Sequence, residues 1–314
     1  MKKLFIVLAI LLSVNSLYAG GALTSAFEFL RTDFNPRTAA MSNAFTTARG
    51  NVGSIMINPA GMAYNESNQY MFNFTNYLLD INGGMLAYSQ EVENIGIISG
   101  SIVYMDYGGF NETDEYAQET GLSFTPADIE LVLSWADHFE KGVSYGVNVK
   151  YIYSQIQDYN ASAIAFDFGL IWDAPFEEDL YFGLSVQNLG SNIEYYSNIK
   201  EDLPFNVRVG VSKKLAHLPL EISVSNAEVN RVSKFAEFFE HMSIGGEFTI
   251  SESVRLRIGY DNRLHTDLKT IEESDFGGLS GGFGIYINSF RFDYSYSNYN
   301  LLGNTHRFGF SGTL

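Results

Sequence analysis

From Tyr70 to Leu314 the chain alternates between apolar and polar residues, one short stretch after another. A β-strand points successive side chains to opposite faces, so this period of two marks strands that stand between two different environments. Residues 141–154 (KGVSYGVNVKYIYS) show it most clearly. Val143, Tyr145, Val147, Val149, Tyr151 and Tyr153 share one face, while Ser144, Gly146, Asn148 and Lys150 share the other. The same rule holds for Phe166-Phe168-Leu170-Trp172, Phe205-Val207-Val209-Val211, Val254-Leu256-Ile258-Tyr260, Phe290-Phe292-Tyr294-Tyr296 and His306-Phe308-Phe310. Candidate strands lie near 69–78, 81–91, 95–107, 127–137, 142–155, 161–172, 180–188, 204–213, 219–226, 241–250, 253–261, 279–288, 290–297 and 305–314, about fourteen in all.

The connections between these strands alternate in length. The odd-numbered ones include four long stretches, at about 108–126, 189–203, 227–240 and 262–278. The even-numbered ones are short, around Val92-Glu93, 138–141, 173–179, 214–218, 251–252 and Ser289. Long loops at one rim and short turns at the other are what bacterial membrane barrels show, and an even strand count returns both ends of the sheet to one side. A soluble β-sandwich also alternates, but its lengths and turns are less regularly ordered. The reading is therefore an all-β, antiparallel transmembrane β-barrel of about fourteen strands.

Charges fix which face meets lipid. A lysine or arginine on the lipid face near the midplane costs roughly 2–4 kcal/mol. Lys150, Arg208, Arg255, Arg257, Arg291 and Arg307 fall opposite the aromatic and aliphatic row, as do Glu130, Asp167, Glu221, Glu247 and Asp293. The apolar row then faces lipid and these charges line the lumen. Their near balance predicts a salt-bridged, partly filled interior. The acidic surplus sits in loops, at Glu112, Asp114, Glu115 and Glu119 and at Glu272, Glu273 and Asp275.

Composition agrees. The chain has 29 glycines, 20 tyrosines and 25 phenylalanines but 6 prolines and no cysteine. A closed sheet satisfies its own backbone groups without cross-links. The net charge of -17 argues against nucleic acid as a partner. Lys2 and Lys3, the apolar run 4–12 and the small residues up to Ala19 read as a cleavable signal peptide over 1–19. No other run is apolar for the roughly 18 residues a spanning helix needs. Outer-membrane lipid and the barrel-assembly machinery, reached through the last strand (THRFGFSGTL), are the partners this organisation implies. The expected location is the cell outer membrane.

Residues 20–65 do not alternate. Their apolar content (Phe27, Phe29, Leu30, Phe34, Phe45, Ile55, Met56, Ile57) is too high for a solvated tail. They are expected to form short helices packed as a plug in the lumen of a barrel spanning 66–314. This stretch carries a family resemblance. Phe27-Glu28-Phe29-Leu30, then Pro36-Arg37-Thr38-Ala39-Ala40-Met41, then Asn58-Pro59-Ala60-Gly61 resembles the opening of the PorV/PorQ family of FadL-like outer-membrane barrels. Ser42-Asn43 stands where Gly-Gly is more usual, and Arg49-Gly50 where an acidic pair is. The resemblance implies fourteen strands and an N-terminal plug. For function it implies passive transport of small hydrophobic molecules, or alternatively a type IX secretion accessory that handles secreted proteins. A purely structural barrel is the third reading. The loop 227–240, with Phe235, Phe238 and Phe239 beside Lys234 and Glu237, is a partner surface, a lipid-capturing patch or a headgroup belt.

Catalysis is not expected. His138 and His217 fall in short turns, and His241 and His306 near strand starts on the apolar row. His265 with Asp261 or Asp267 is the only acid–base grouping. The strings Gly142-Val-Ser144-Tyr-Gly146 and Gly278-Leu-Ser280-Gly-Gly282 match a nucleophile elbow, but that motif needs a strand-to-helix turn and both lie in alternating strands. No metal spacing or phosphate loop occurs, so no cofactor is expected.

Overall fold

A computed structural model describes residues 26–139, 142–197, 201–232, 234–268 and 276–314. The expected signal peptide, residues 20–25 and the acids Glu272, Glu273 and Asp275 lie outside the described residues. Fourteen antiparallel strands form a closed barrel. Its first half is β1 (Gln69–Asn76), β2 (Asn82–Val92), β3 (Gly96–Asp106), β6 (Ala127–Phe139), β7 (Val143–Ile156), β8 (Tyr159–Asp173) and β9 (Leu180–Glu194). Its second half is β10 (Asn206–Lys214), β11 (Leu220–Asn226), β12 (Met242–Ser251), β13 (Val254–Asp261), β14 (Leu279–Ile287), β15 (Phe290–Asn298) and β16 (Asn304–Thr313). Each barrel strand pairs with the next along the chain, and β1 closes on β16 with Met71 opposite Ser311 and Phe74 opposite Phe308. Closure leaves no unpaired edge. All fourteen strands read from the alternation are found.

Two differences have local causes. The long connection 108–126 is not a bare loop, because β4 (Phe110–Thr113) and β5 (Glu119–Phe124) pair into a separate hairpin. It is too short and too polar to alternate. Strand β9 runs to Glu194, past the 188 at which the alternation stops. The register against β8 shifts between Phe166 and Phe168. Gln187 and Asn188 are both buried, and Asn188 has φ 58. Its backbone N–H donates to Asp167 Oδ1 at 2.8 Å. Such a bulge puts two consecutive side chains on one face and so breaks the period of two.

The outer wall is apolar. Phe72, Leu133 and Ile258 are 51, 70 and 57% exposed, whereas their inward neighbours Asn73, Ser134 and Arg257 are buried. Leaving such large side chains bare on thirteen of the fourteen barrel strands is stable only against lipid, so this is a membrane barrel. Among the described residues no helix is long and apolar enough to cross a membrane.

The N-terminal segment, residues 26–65, forms short helical turns at Glu28–Arg31, Pro36–Ala39, Val52–Met56 and Pro59–Tyr64. The turn at 52–56 touches β1 and β2, that at 59–64 touches β3, β6, β7 and β8, and that at 36–39 touches β14, β15 and β16. Met41 also packs against β12 and β13, and Thr46 against β9 and β10, so the segment touches strands in both halves of the barrel. Phe34, Met41, Phe45 and Ile55 are fully buried there.

Candidate functional site: the interface of the N-terminal segment with the inner wall

Local sequence shapes the segment. Asn35 caps the turn Pro36–Ala39 by accepting a hydrogen bond from the Arg37 backbone N–H, with Pro36 at the first helical position. The box Asn58-Pro59-Ala60-Gly61 repeats the device. Asn58 is extended, its side chain accepts from the Ala60 N–H at 3.1 Å, and Pro59 opens the turn. The Asn58 Nδ2 amide donates to the carbonyls of Thr46 at 2.9 Å, Leu170 at 3.2 Å and Leu184 at 3.3 Å. One buried side chain thus ties the segment to β8 and β9. Phe27 and Phe29 are buried, and Leu30 is half-buried. Ala39, Met41 and Ala60 are buried, and a Cβ on Gly61 would lie 1.9 Å from the Ala48 carbonyl oxygen.

The wall receives the segment through glycines that face inward. Gly146 and Gly169 are directly opposite each other on β7 and β8. A Cβ at Gly146 would fall 2.5 Å from the Pro59 carbonyl carbon, and one at Gly169 2.1 Å from Asn58 Oδ1. Gly183 and Gly210 form a second opposed pair, set against Thr46, and Gly245 and Gly259 a third, set against Met41. Only glycine lets another backbone approach this closely. Gly146 stands on the polar face of its alternating strand in the sequence, and the other five glycines recur on that face in the same way. Gly146 also accounts for the end of one nucleophile-elbow string, which lies within β7.

Charges join segment to wall. The Arg37 guanidinium donates to both oxygens of Glu247, Nε to Oε2 at 3.0 Å and Nη2 to Oε1 at 2.9 Å. Glu247 also accepts from Arg257 Nε at 2.6 Å. Arg257 Nη1 donates to Asp293 Oδ1 at 2.6 Å, and Arg291 Nε to Asp293 Oδ2 at 2.5 Å. Burial alone would lower the Arg37 guanidinium, but Glu247 more than offsets this and holds it above its ordinary value. Lys150 forms a separate centre, 3.0 Å from Glu130 and 2.9 Å from Asp167. Asn148 beside it donates to the Ile55 carbonyl at 2.9 Å. Arg307 Nε donates to the Asp33 carbonyl at 2.7 Å. Burial pushes the Asp33 carboxyl up, with Thr38 and Arg307 counteracting in part. Arg255 stands apart at the short-turn rim, over the Tyr286 ring at 5.0 Å.

Toward the long-loop rim the segment borders a polar cavity of about 110 Å³ lined by Arg31, Asp33, Arg208, Glu228, His241 and Arg263. Arg208 is buried and donates Nη2 to the Asn43 carbonyl at 2.7 Å. Glu228 gathers Arg31 at 3.0 Å, Arg231 at 3.4 Å, His241 at 3.3 Å and Arg263 Nη1. Burial raises the Glu228 carboxyl, but Arg263, Arg231 and Arg31 outweigh it and hold it below the usual carboxylate range. His241 therefore turns inward to a carboxylate rather than standing on the apolar row. The reason is that it precedes Met242 in the parity of the inward Ser243. His265 faces the Gly277 carbonyl at 3.2 Å, and Asp261 instead caps the turn Asn262–Asp267. In the 227–240 loop, Phe239 is exposed and packs edge-on against Phe238. Among the described residues no cluster of His, Cys, Asp or Glu is arranged to hold a metal.

Comparisons with known proteins add to this geometry. A family model described as type IX secretion system membrane protein PorP/SprF matches residues 54–309. No curated protein matches the chain. The Pseudomonas putida toluene transporter TodX shares 10% identity, over 88% of this chain and 98% of its own, with a TM-score of 0.58. The Ralstonia pickettii toluene transporter TbuX shares 12%, over 90% and 98%, at 0.57. A Pseudomonas aeruginosa FadL homologue shares 11%, over 89% and 97%, at 0.51. At such identities the likeness is one of fold, and it agrees with the FadL-like architecture. The N-terminal motifs resemble PorV/PorQ, whereas the matching family model is that of PorP/SprF.

Proposed function

The chain belongs to the PorP/SprF family of type IX secretion system membrane proteins, and from that premise we propose that it is an outer-membrane component of type IX secretion whose lumen is closed by its own N-terminal segment. The observation that carries this is the bond set that locks the segment to the wall: Asn58 to the carbonyls of Leu170 and Leu184, and Arg37 to Glu247. The cavity beside the segment is small and lined by charges, which suits neither a water-filled pore nor a path for apolar solutes. In this reading the barrel is a rigid membrane platform, and its work is done at the long-loop rim by contact with secreted proteins. Deleting the gene in the organism of origin should block surface delivery of at least one type IX cargo. Unimpaired delivery of every cargo would refute the proposal.

A second reading is passive passage of small hydrophobic molecules across the outer membrane. It draws support from the fold shared with the toluene transporters. It requires the segment to shift, because its bonds cross the lumen. Removal of residues 24–60 from the barrel in liposomes tests it: unchanged flux of toluene and of ions on removal would exclude a plugged transporter.

A further inference from the structure

A second pocket, of about 320 Å³, lies at the long-loop rim apart from the charged cavity. Its walls include the rings of Phe27, Tyr107, Phe110 and Tyr196, and Asp128 lies at its buried end. Three parts of the fold build it. Phe27 comes from the N-terminal segment, Phe110 from the β4–β5 hairpin, where it stacks on Phe124 at 5.9 Å, and Tyr196 from the connection after β9. Phe27 holds φ 59, a left-handed conformation that is uncommon for a bulky residue and persists only where surroundings impose it.

Asp128 is the unusual member. It is 5% exposed, yet its bonding partners are hydroxyls. Tyr107 Oη donates to Oδ2 at 2.5 Å, and Ser154 Oγ donates to Oδ1. Tyr196 Oη donates in turn to Ser154. Among the described residues no Lys, Arg or His lines this pocket, and Asp128 forms no ion pair. Of the other buried acids described, Glu130, Asp167, Glu228, Glu247 and Asp293 each have a cation within 3.0 Å, and Asp33 alone shares with Asp128 the lack of an ion pair. A buried carboxylate without a cation is costly, and its neighbours here are aromatic rings, whose faces attract cations. The connections around the mouth carry Glu112, Asp114, Glu115 and Glu119, which draw cations toward it.

We propose that this pocket binds a protonated alkylamine, a lysine side chain of a protein or a free polyamine, with the rings around the alkyl stem and Asp128 supplying the counter-charge. The proposal goes beyond the secretion reading and stands or falls separately from it.

The test is calorimetric titration of the full-length barrel in detergent with cadaverine, with an N-acetylated Gly-Lys-Gly amide, and with neutral 1-pentanol. Both amines or either one should bind and pentanol should not. Asp128→Asn, which removes the charge at nearly constant shape and keeps one acceptor oxygen for the hydroxyls, should weaken amine binding about tenfold. Phe110→Ala, on the exposed hairpin, should also weaken it and serves if the first variant fails to fold. Tighter binding of the peptide supports a protein lysine as the source, and tighter binding of cadaverine supports a free amine. No amine binding, pentanol binding as tight as the amines, or wild-type affinity in both variants would overturn the proposal.

Discussion

Arg37 of the N-terminal segment and Glu247 of β12, 210 residues apart in sequence, face each other through two parallel N–H···O bonds of 3.0 and 2.9 Å. The planar guanidinium matches the carboxylate, so the pair fixes orientation as well as distance. Glu247 is shared with Arg257, which makes the two ends of the pair unequal. Arg37→Ala leaves Glu247 paired. Glu247→Ala leaves Arg37 without its ion-pair partner and Arg257 with Asp293 alone, and removing one partner of a buried pair costs roughly 3–5 kcal/mol. Thermal unfolding in detergent should therefore show Glu247→Ala to be the more damaging change. Equal midpoints would contradict the shared-carboxylate account.

Ser42 and Asn43 hold φ 50 and 57, a left-handed pair at the point where Met41 packs against Gly245 and Gly259. Asparagine tolerates that conformation and serine does less well. Ser42→Gly, by relieving the left-handed strain, should raise stability by about 1 kcal/mol, read as a shift in denaturant midpoint. Ser42→Val should lower it. A destabilised Ser42→Gly would show that the serine side chain, which donates to the Gly278 carbonyl at 3.3 Å, outweighs the backbone strain.

The opposed glycines should behave unlike exposed ones. Gly169→Ala would thrust a methyl to 2.1 Å from Asn58 Oδ1, where several bonds already hold that side chain. Overpacking of this type costs typically about 1–3 kcal/mol. Gly109→Ala, with nothing within 4 Å of the added carbon, should stay within about 0.5 kcal/mol of wild type. Heat-modifiable gel mobility compares the two.

Glu228 sets a pH dependence at the long-loop rim. Its folded value lies below the ordinary carboxylate value of 4.5. A depressed acid contributes stability that is complete above the unfolded value and is lost as the pH falls through the folded one. The connections at 227–240 and 262–268 should thus become more open to protease below about pH 4.5. Glu228→Gln should be more open already at neutral pH and change less on acidification. A rim whose cleavage in wild type and Glu228→Gln follows the same pH course would remove Glu228 as its fastener.

Alternation, loop lengths and the rows of charges determined the barrel by themselves, because period and facing are local properties of a strand. The closing strand was legible for the same reason: Phe308 and Phe310 alternate to the end of the chain. The segment 26–65 was legible as apolar and non-alternating, with short helices expected, but not in which strands it would bond. Tertiary structure decided that Arg37 meets Glu247, that Asn58 spans to the carbonyls of β8 and β9, and that opposed glycines make room for them. It also turned His241 to Glu228 and joined Phe27, Phe110 and Tyr196 around Asp128. These pairings bridge up to 210 residues, as Arg37 and Glu247 do. No local pattern encodes them, since which inward side chains meet across a lumen depends on the barrel's closure and on what fills it.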